Sequence, residues 1–317
     1  MSNLEKDPVE IEEVSTGSAR DEVSVLDPRD VPLGGPRAMT VRRTLPQRSR
    51  SLIGAWCFID HYGPDLVAEK GGMVVPPHPH TGLQTVSWLF AGEIEHRDSV
   101  GSHEFVRPGE LNLMTAGRGI AHSEVSTAET TTLHGAQLWL ALPDDTRDVE
   151  PFFEHVVPTP VSFEGATVSV FIGSLLGSTS PARTFSPLVG AQFDIPAGTS
   201  ITVPVDAGFE HGILLDSGSL VVEDTTVAPS ELLYLPTGAE TLTLTAGVDD
   251  VRALLIGGEP FGERIIMWWN FIGRTHDEIV AYRSDWEAKT ERFGVVDYPG
   301  AALPAPQLPG IRLKPRE

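Results

Sequence analysis

The stretch "PPHPHTGLQTV", residues 76 to 86, sets His78 and His80 either side of Pro79. In an extended chain, residues two apart leave the same face with about 7 Å of backbone between them, so both imidazoles can reach one ion. Pro79 points the other way and brings no N–H to a ladder, which places the segment at a sheet edge or strand end. Taken alone, the pair also fits a proline-rich turn with two exposed rings. The stretch "TAGRGIAHSEV" repeats the spacing with His122 and Glu124, again on one strand face. Three neutral imidazoles and one carboxylate suit a first-row divalent ion such as iron, manganese, nickel, copper or zinc. On a six-coordinate ion, four protein ligands leave two positions open, and metal-assisted chemistry requires that opening. Cys57 is the only cysteine, so an internal disulfide, a CxxC redox pair and a thiolate zinc site are excluded.

Strands must bring these two stretches together. From about residue 37 the chain reads as short β-branched or aromatic runs cut by Gly and Pro, among them "SLIGAWCFID", "TVSWLFAGEIEH", "ELNLMTAG" and "AQLWLALP". Such runs between turn signals predict an antiparallel sandwich or barrel. "PDDTRDVEPFFEHVVPTP" reads as a linker, after which a second set of strands runs to "VRALLIGG". The expected division is an acidic tail over 1–24, a β domain over 25–145, a linker over 146–163, a second β domain over 164–262, a helical region over 263–295 and a tail over 296–317. In the helical region Thr275 and Glu278 have capping-box spacing, Gly294 closes the helix, and Ile279, Tyr282 and Trp286 share a face.

Composition removes several function classes. The formal charge of −21, with no Lys/Arg cluster, repels phosphate backbones and argues against direct nucleic-acid binding. No signal-peptide core and no run of about 18 apolar residues occurs, so a cytoplasmic protein without a membrane segment is expected. His96 and His103 flank "RDSVGS" in an expected hairpin and read as exposed, and "GRG" before His122 reads as a tight turn rather than a phosphate loop.

"HPHTGLQTVSWL", "MTAGRGIAHSE" and "GGEPFGERIIMWWNF" closely resemble the pirin family, a branch of the cupins, and "VRRTLPQRSRSLIGAWCFIDHYGP" looks like that family's lead-in. The resemblance covers about residues 25 to 295. It implies a mainly β fold, two tandem cupin-type antiparallel β-barrels (a bicupin) with a C-terminal helix. It also implies one Fe2+ in the first barrel, held by His78, His80, His122 and Glu124, with other divalent first-row metals as alternatives. One departure stands out: Gln84 occupies the position where pirins usually keep a glutamate that is not a ligand, which would change the hydrogen bonding and charge around the metal. The resemblance places His61 beside the metal pocket, and Trp56, Phe58, Leu83 and Met114 as its apolar wall.

A search for the first motif in the second half sets Gly92 on Gly218 and "HPHTGLQ" on "PVDAGFE". The histidines become Pro204 and Asp206, and Glu210 falls where Gln84 stands. The second domain is therefore expected to be metal-free, with His211 a hydrogen-bonded structural residue. Two functions follow from the resemblance. One is an iron-dependent dioxygenase acting on a quercetin-like flavonol or related polyphenol, with Glu124 as acid–base group. The other is a metal- or redox-sensing regulator that acts through protein partners.

Overall fold

The computed structural model describes residues 22–33 and 39–315. It is mainly β, built from two barrels of matching plan. In the first, a seven-stranded sheet runs in the order Phe152–Val156, Leu111–Thr115, Leu83–Ala91, Thr132–Ala141, Trp56–Leu66, Met39–Leu45, Arg29–Leu33. Facing it is a four-stranded sheet ordered Val74–His80, Ile120–Ser126, Ile94–Asp98, His103–Val106. The second barrel repeats the arrangement, with seven strands ordered Ser24–Leu26, Leu232–Leu235, Glu210–Ser217, Val251–Gly258, Leu188–Ile195, Ala166–Ile172, Val161–Phe163. Its four-stranded sheet holds Ser200–Pro204, Thr241–Ala246, Leu220–Val222 and Thr225–Val227. The ladders run antiparallel.

The large sheets are buried on both faces, which is why their strands read as nearly continuous apolar runs. Along Leu83–Ala91, Leu83 faces the interior of the first barrel, whereas Val86 and Trp88 face the second domain. There Trp56, Ile59 and Leu138 join Phe171, Leu214, Leu254 and Ile256 in one cluster. Trp88 stacks on Phe171 at 4.6 Å and its indole N–H donates to Gln192 Oε1 at 2.8 Å. Each such buried side chain contributes roughly 1.5–3 kcal/mol, so the junction is a shared core rather than a sliding contact.

The repeat seen in the sequence has a structural counterpart. Gly92 and Gly218 both hold left-handed backbone, at φ of 90° and 88°, and in each a β-carbon would strike a carbonyl, of Thr132 at 2.6 Å or Asp250 at 2.4 Å. Only glycine tolerates that combination.

Four expectations about boundaries change. The proline-rich stretch is not a free linker: Phe152–Val156 adds an edge strand to the first barrel and Val161–Phe163 one to the second. Proline is compatible with edges because an edge strand need not donate on its outer side. Ser24–Leu26, placed at the border of tail and first domain, instead pairs with the Leu232–Leu235 strand of the second barrel, while residues 1–21 of the expected acidic tail lie outside the described residues.

The expected C-terminal tail packs as well: Val296, Ala305 and Leu313 are buried with Trp268, Trp269 and Phe271, and Leu303 N donates to Pro77 O at 2.8 Å. The helix spans His276–Glu287 with the capping box formed between Thr275 and Glu278, but it stops at Ala288 rather than at Gly294. Lys289 turns to a φ of 53°, and Gly294 ends a separate short helical turn, Glu291–Phe293.

Candidate metal centre

The site is built on the four-stranded sheet of the first barrel. Val74–His80 is its edge strand, in keeping with Pro79, and pairs there with Ile120–Ser126. The register sets His122 directly opposite His78, and on the other side Glu124 opposite His96 and His122 opposite Asp98. Directly opposed residues share a face, so three neighbouring strands carry His78 and His80, His122 and Glu124, and His96 and Asp98 toward the barrel interior. Ring nitrogens of His78, His80 and His122 lie within 4.8 Å of one another, and so do ligand atoms of His96, His122 and Glu124. The two groups share His122, so the carboxylate of Glu124 reaches the buried histidine trio through that ring.

Burial keeps the imidazoles neutral. It pulls His78 down to about 3 and pushes His80 and His122 well below the ordinary histidine value. Neutral rings are the form that binds metal. His78 Nδ1 lies 2.9 Å from the Pro76 carbonyl, which can only accept, so the proton sits on Nδ1 and the lone pair on Nε2. That Nε2 is buried and makes no hydrogen bond. His80 Nε2 and His122 Nε2 approach to 3.1 Å. A buried set of inward lone pairs beside a carboxylate fits a divalent cation, which would neutralise the carboxylate and satisfy the unpartnered nitrogen.

The opposite wall comes from the seven-stranded sheet. Phe58, Leu83 and Met114 lie there in one apolar cluster with Trp139 and Cys57, and Phe58 stacks on Trp139 at 4.0 Å. Trp139 in turn meets the His80 ring edge-on at 5.3 Å. Ser87 Oγ donates to Gln137 Oε1 at 2.9 Å and lies 3.4 Å from Glu124 Oε1. Burial, together with the charges of Glu124 and Asp60, pushes the Tyr62 phenol well up.

Three expected neighbours belong elsewhere. Trp56 faces the domain junction, where its indole N–H donates to Gly257 O at 3.1 Å. Gln84 shares the junction-facing side of its strand with Val86 and Trp88, and its Nε2 donates to Thr115 Oγ1 at 2.8 Å and Arg183 O at 2.9 Å. Glu210, its counterpart in the second barrel, also turns away, accepting from Gly54 N and the Tyr234 hydroxyl. Gln84 thus bears on the junction rather than on the groups around the cluster.

His61 is the third. Its Nε2 and that of His134 reach one oxygen of Asp216 at 2.7 and 2.6 Å, its Nδ1 meets Ser230 Oγ at 3.0 Å, and Arg252 Nε donates to the other Asp216 oxygen at 2.8 Å. Arg252 already supplies Asp216 with a cation, so this group reads as a fastening between the two domains. The alternation of the strand explains the placement: His61 points out of the barrel because Tyr62 points in.

His96 is the residue the sequence reading misplaced. It is buried, not exposed, stacked on Phe153 at 4.7 Å, while His103 is exposed as expected. Polar composition suggested a solvated hairpin, but His96 and Asp98 repeat the two-residue spacing of both ligand pairs, and that signal was available.

His211, expected to be hydrogen-bonded, is buried in the second barrel with neither ring nitrogen partnered, beside a cavity of about 30 Å³ that Asp206 and Phe209 also line. Burial pulls it from 6.5 to about 4. Between those values the unfolded chain binds a proton that the folded chain refuses, so stability rises with pH across the window and falls on acidification. This group alone is expected to cost about 2 kcal/mol between pH 7.5 and pH 5, and His211→Leu should remove that part of the dependence. Urea unfolding at both pH values measures it; the same pH difference in wild type and variant would rule it out.

The pirin family model matches residues 38–140, and that of the pirin C-terminal cupin domain matches residues 190–294. A Pseudomonas aeruginosa protein provisionally named a quercetin 2,3-dioxygenase is 44% identical over 283 residues, covering 89% of each chain. Human pirin is 33% identical over 221 residues, 66% of this chain and 76% of its own. A crystal structure described as quercetin 2,3-dioxygenase from Acinetobacter baumannii superposes with a TM-score of 0.87 at 39% identity, covering 93% of this chain and 99% of that one. The two-barrel architecture, the histidine pairs on the first barrel and these matches agree, and the chain belongs to the pirin family.

Proposed function

We propose that the protein is a metal-dependent dioxygenase of the quercetin 2,3-dioxygenase type, with ferrous iron held by His78, His80, His122 and Glu124 and a flavonol-like polyphenol as substrate. The observation that carries this reading is the juxtaposition of a buried, neutral histidine cluster with a flat aromatic wall, Phe58 stacked on Trp139, whose indole meets His80. The names of the Pseudomonas and Acinetobacter relatives support the substrate class.

Bound iron would supply Lewis acidity and a redox centre for dioxygen chemistry. The chain's own groups do the rest. Phe58, Leu83 and Met114 present apolar surface to a planar ring system. Tyr62 Oη, Gln137 Nε2 and Trp139 Nε1 are buried polar atoms without hydrogen bonds, suited to the hydroxyl and carbonyl oxygens of a polyphenol. Glu124 would take a phenolic proton, a role supported by its buried carboxylate beside the Ser87 hydroxyl at 3.4 Å. Burial of the cluster excludes bulk water, which strengthens each of these interactions.

Iron-loaded protein incubated aerobically with quercetin and a catechol panel is expected to bleach the flavonol absorbance with matching oxygen uptake. The iron-free protein should do neither. An absence of metal-dependent turnover across the panel would reject the enzyme reading in favour of a regulator acting through protein partners.

A further inference from the structure

We propose that His96, held by Asp98, fixes the tautomer of His122 and so aims the His122 Nε2 lone pair into the His78–His80 cluster. His96 is thereby a positioning residue for the metal. The inference rests on the metal reading of that cluster.

The chain of protons can be followed atom by atom. Asp98 Oδ1 accepts the backbone N–H groups of Val100 at 3.0 Å and Ser102 at 2.9 Å, which fixes the carboxylate and leaves Oδ2 facing His96 Nε2 at 3.3 Å. A carboxylate can only accept, so His96 Nε2 carries a proton, and in the proposed relay its Nδ1 is the acceptor. That Nδ1 lies 3.3 Å from His122 Nδ1, so the hydrogen between them belongs to His122. A neutral imidazole has one N–H, and His122 Nε2 is therefore unprotonated where it faces His80 Nε2 at 3.1 Å.

Two further features hold the relay in place. The His96 ring stacks on Phe153 with 27° between planes, and His96 and Asp98 are both buried, so water does not compete for their hydrogen bonds. His96 also lies within ligand distance of His122 and Glu124, yet it approaches the Nδ1 side of His122, the back of the ring relative to His80. A neutral His122 cannot offer lone pairs in both directions, which makes His96 an orienting partner rather than a ligand.

Asp98→Asn tests this in the full-length chain. The asparagine oxygen can keep the Val100 and Ser102 N–H groups, which forces its NH2 toward His96. His96 would then accept at Nε2 and carry its proton on Nδ1, facing the His122 N–H. His122 is driven to the other tautomer, with a proton on Nε2. Co2+, visible by its d–d absorption, serves as the probe metal, with affinity measured by chelator competition and folding by circular dichroism.

The expected result is a folded Asp98→Asn protein that binds Co2+ about 10–100-fold more weakly. His96→Phe should show a similar loss, an unchanged d–d band shape at saturation, and no further loss when Asp98→Asn is added. Wild-type affinity in Asp98→Asn would overturn the proposal. So would an equal Asp98→Asn loss in the His96→Phe background, or a His96→Phe loss as large as that of His80→Ala with an altered band. Failure of the metal reading is separately visible: wild type and His80→Ala would then bind Co2+ alike, and the inference would fall with it.

Discussion

Replacing His80 by alanine is expected to weaken divalent-metal binding by more than the roughly 10–100-fold that losing an orienting partner costs, while the barrel stays folded. His80 lies within 4.8 Å of the ligand atoms of both His78 and His122, so its removal opens one side of the cluster. The space its ring vacates borders Trp139, which meets the His80 ring at 5.3 Å, and the strand's ladder to Ile120–Ser126 is backbone pairing that alanine keeps. Metal content after purification and Co2+ competition give the measurement. A variant that retains wild-type affinity would remove His80 from the ligand set and with it the proposed centre. Flavonol turnover should vanish together with the metal, because Glu124 alone is a base without an electrophile.

Asp60→Ala is expected to destabilise the fold by about 3–5 kcal/mol, the usual cost of stranding one member of a buried ion pair. Arg43 Nε and Nη2 donate to the two Asp60 oxygens at 2.6 and 2.8 Å, and both side chains are at most 2% exposed. The Arg43 guanidinium also sits 4.3 Å over the Phe58 ring, which itself stacks on Trp139. Without the carboxylate the cation remains in place, buried and half-satisfied. Pairing the change with Arg43→Met should recover most of the loss, since the isolated charge and not the missing contact is the main penalty. Equilibrium denaturation reads both effects; a loss below about 1 kcal/mol in the single variant would show that Arg43 has another route to compensation.

The candidate ligand residues could be picked out from the chain because a strand's two-residue period converts spacing directly into a shared face. His78 and His80, and His122 and Glu124, follow that rule, and Pro79 correctly marks an edge strand. The same rule applies to His96 and Asp98, which share the face of His122 and Glu124, whereas the polar "RDSVGS" turn points to an exposed hairpin. Periodicity could not say which of two buried faces a side chain occupies. Trp56, His61 and Gln84 all sit on strands that line the barrel, but on the junction side of them.

The sequence by itself determined that the protein is β-rich and doubled, that its single cysteine can form no internal thiolate pair, and that one half alone presents paired imidazoles at strand spacing. These are local properties, set by residue type and by a repeat of two. The tertiary structure decided the rest. It brought the C-terminal strand through Ile272, whose N–H bonds the Thr81 carbonyl, back against the histidine strand, turned the supposed linker into two edge strands, and placed Asp216 between His61 and His134. The contacts of Ile272 with Thr81 and of Asp216 with His61 and His134 join residues more than 70 positions apart, and no local pattern records such partners.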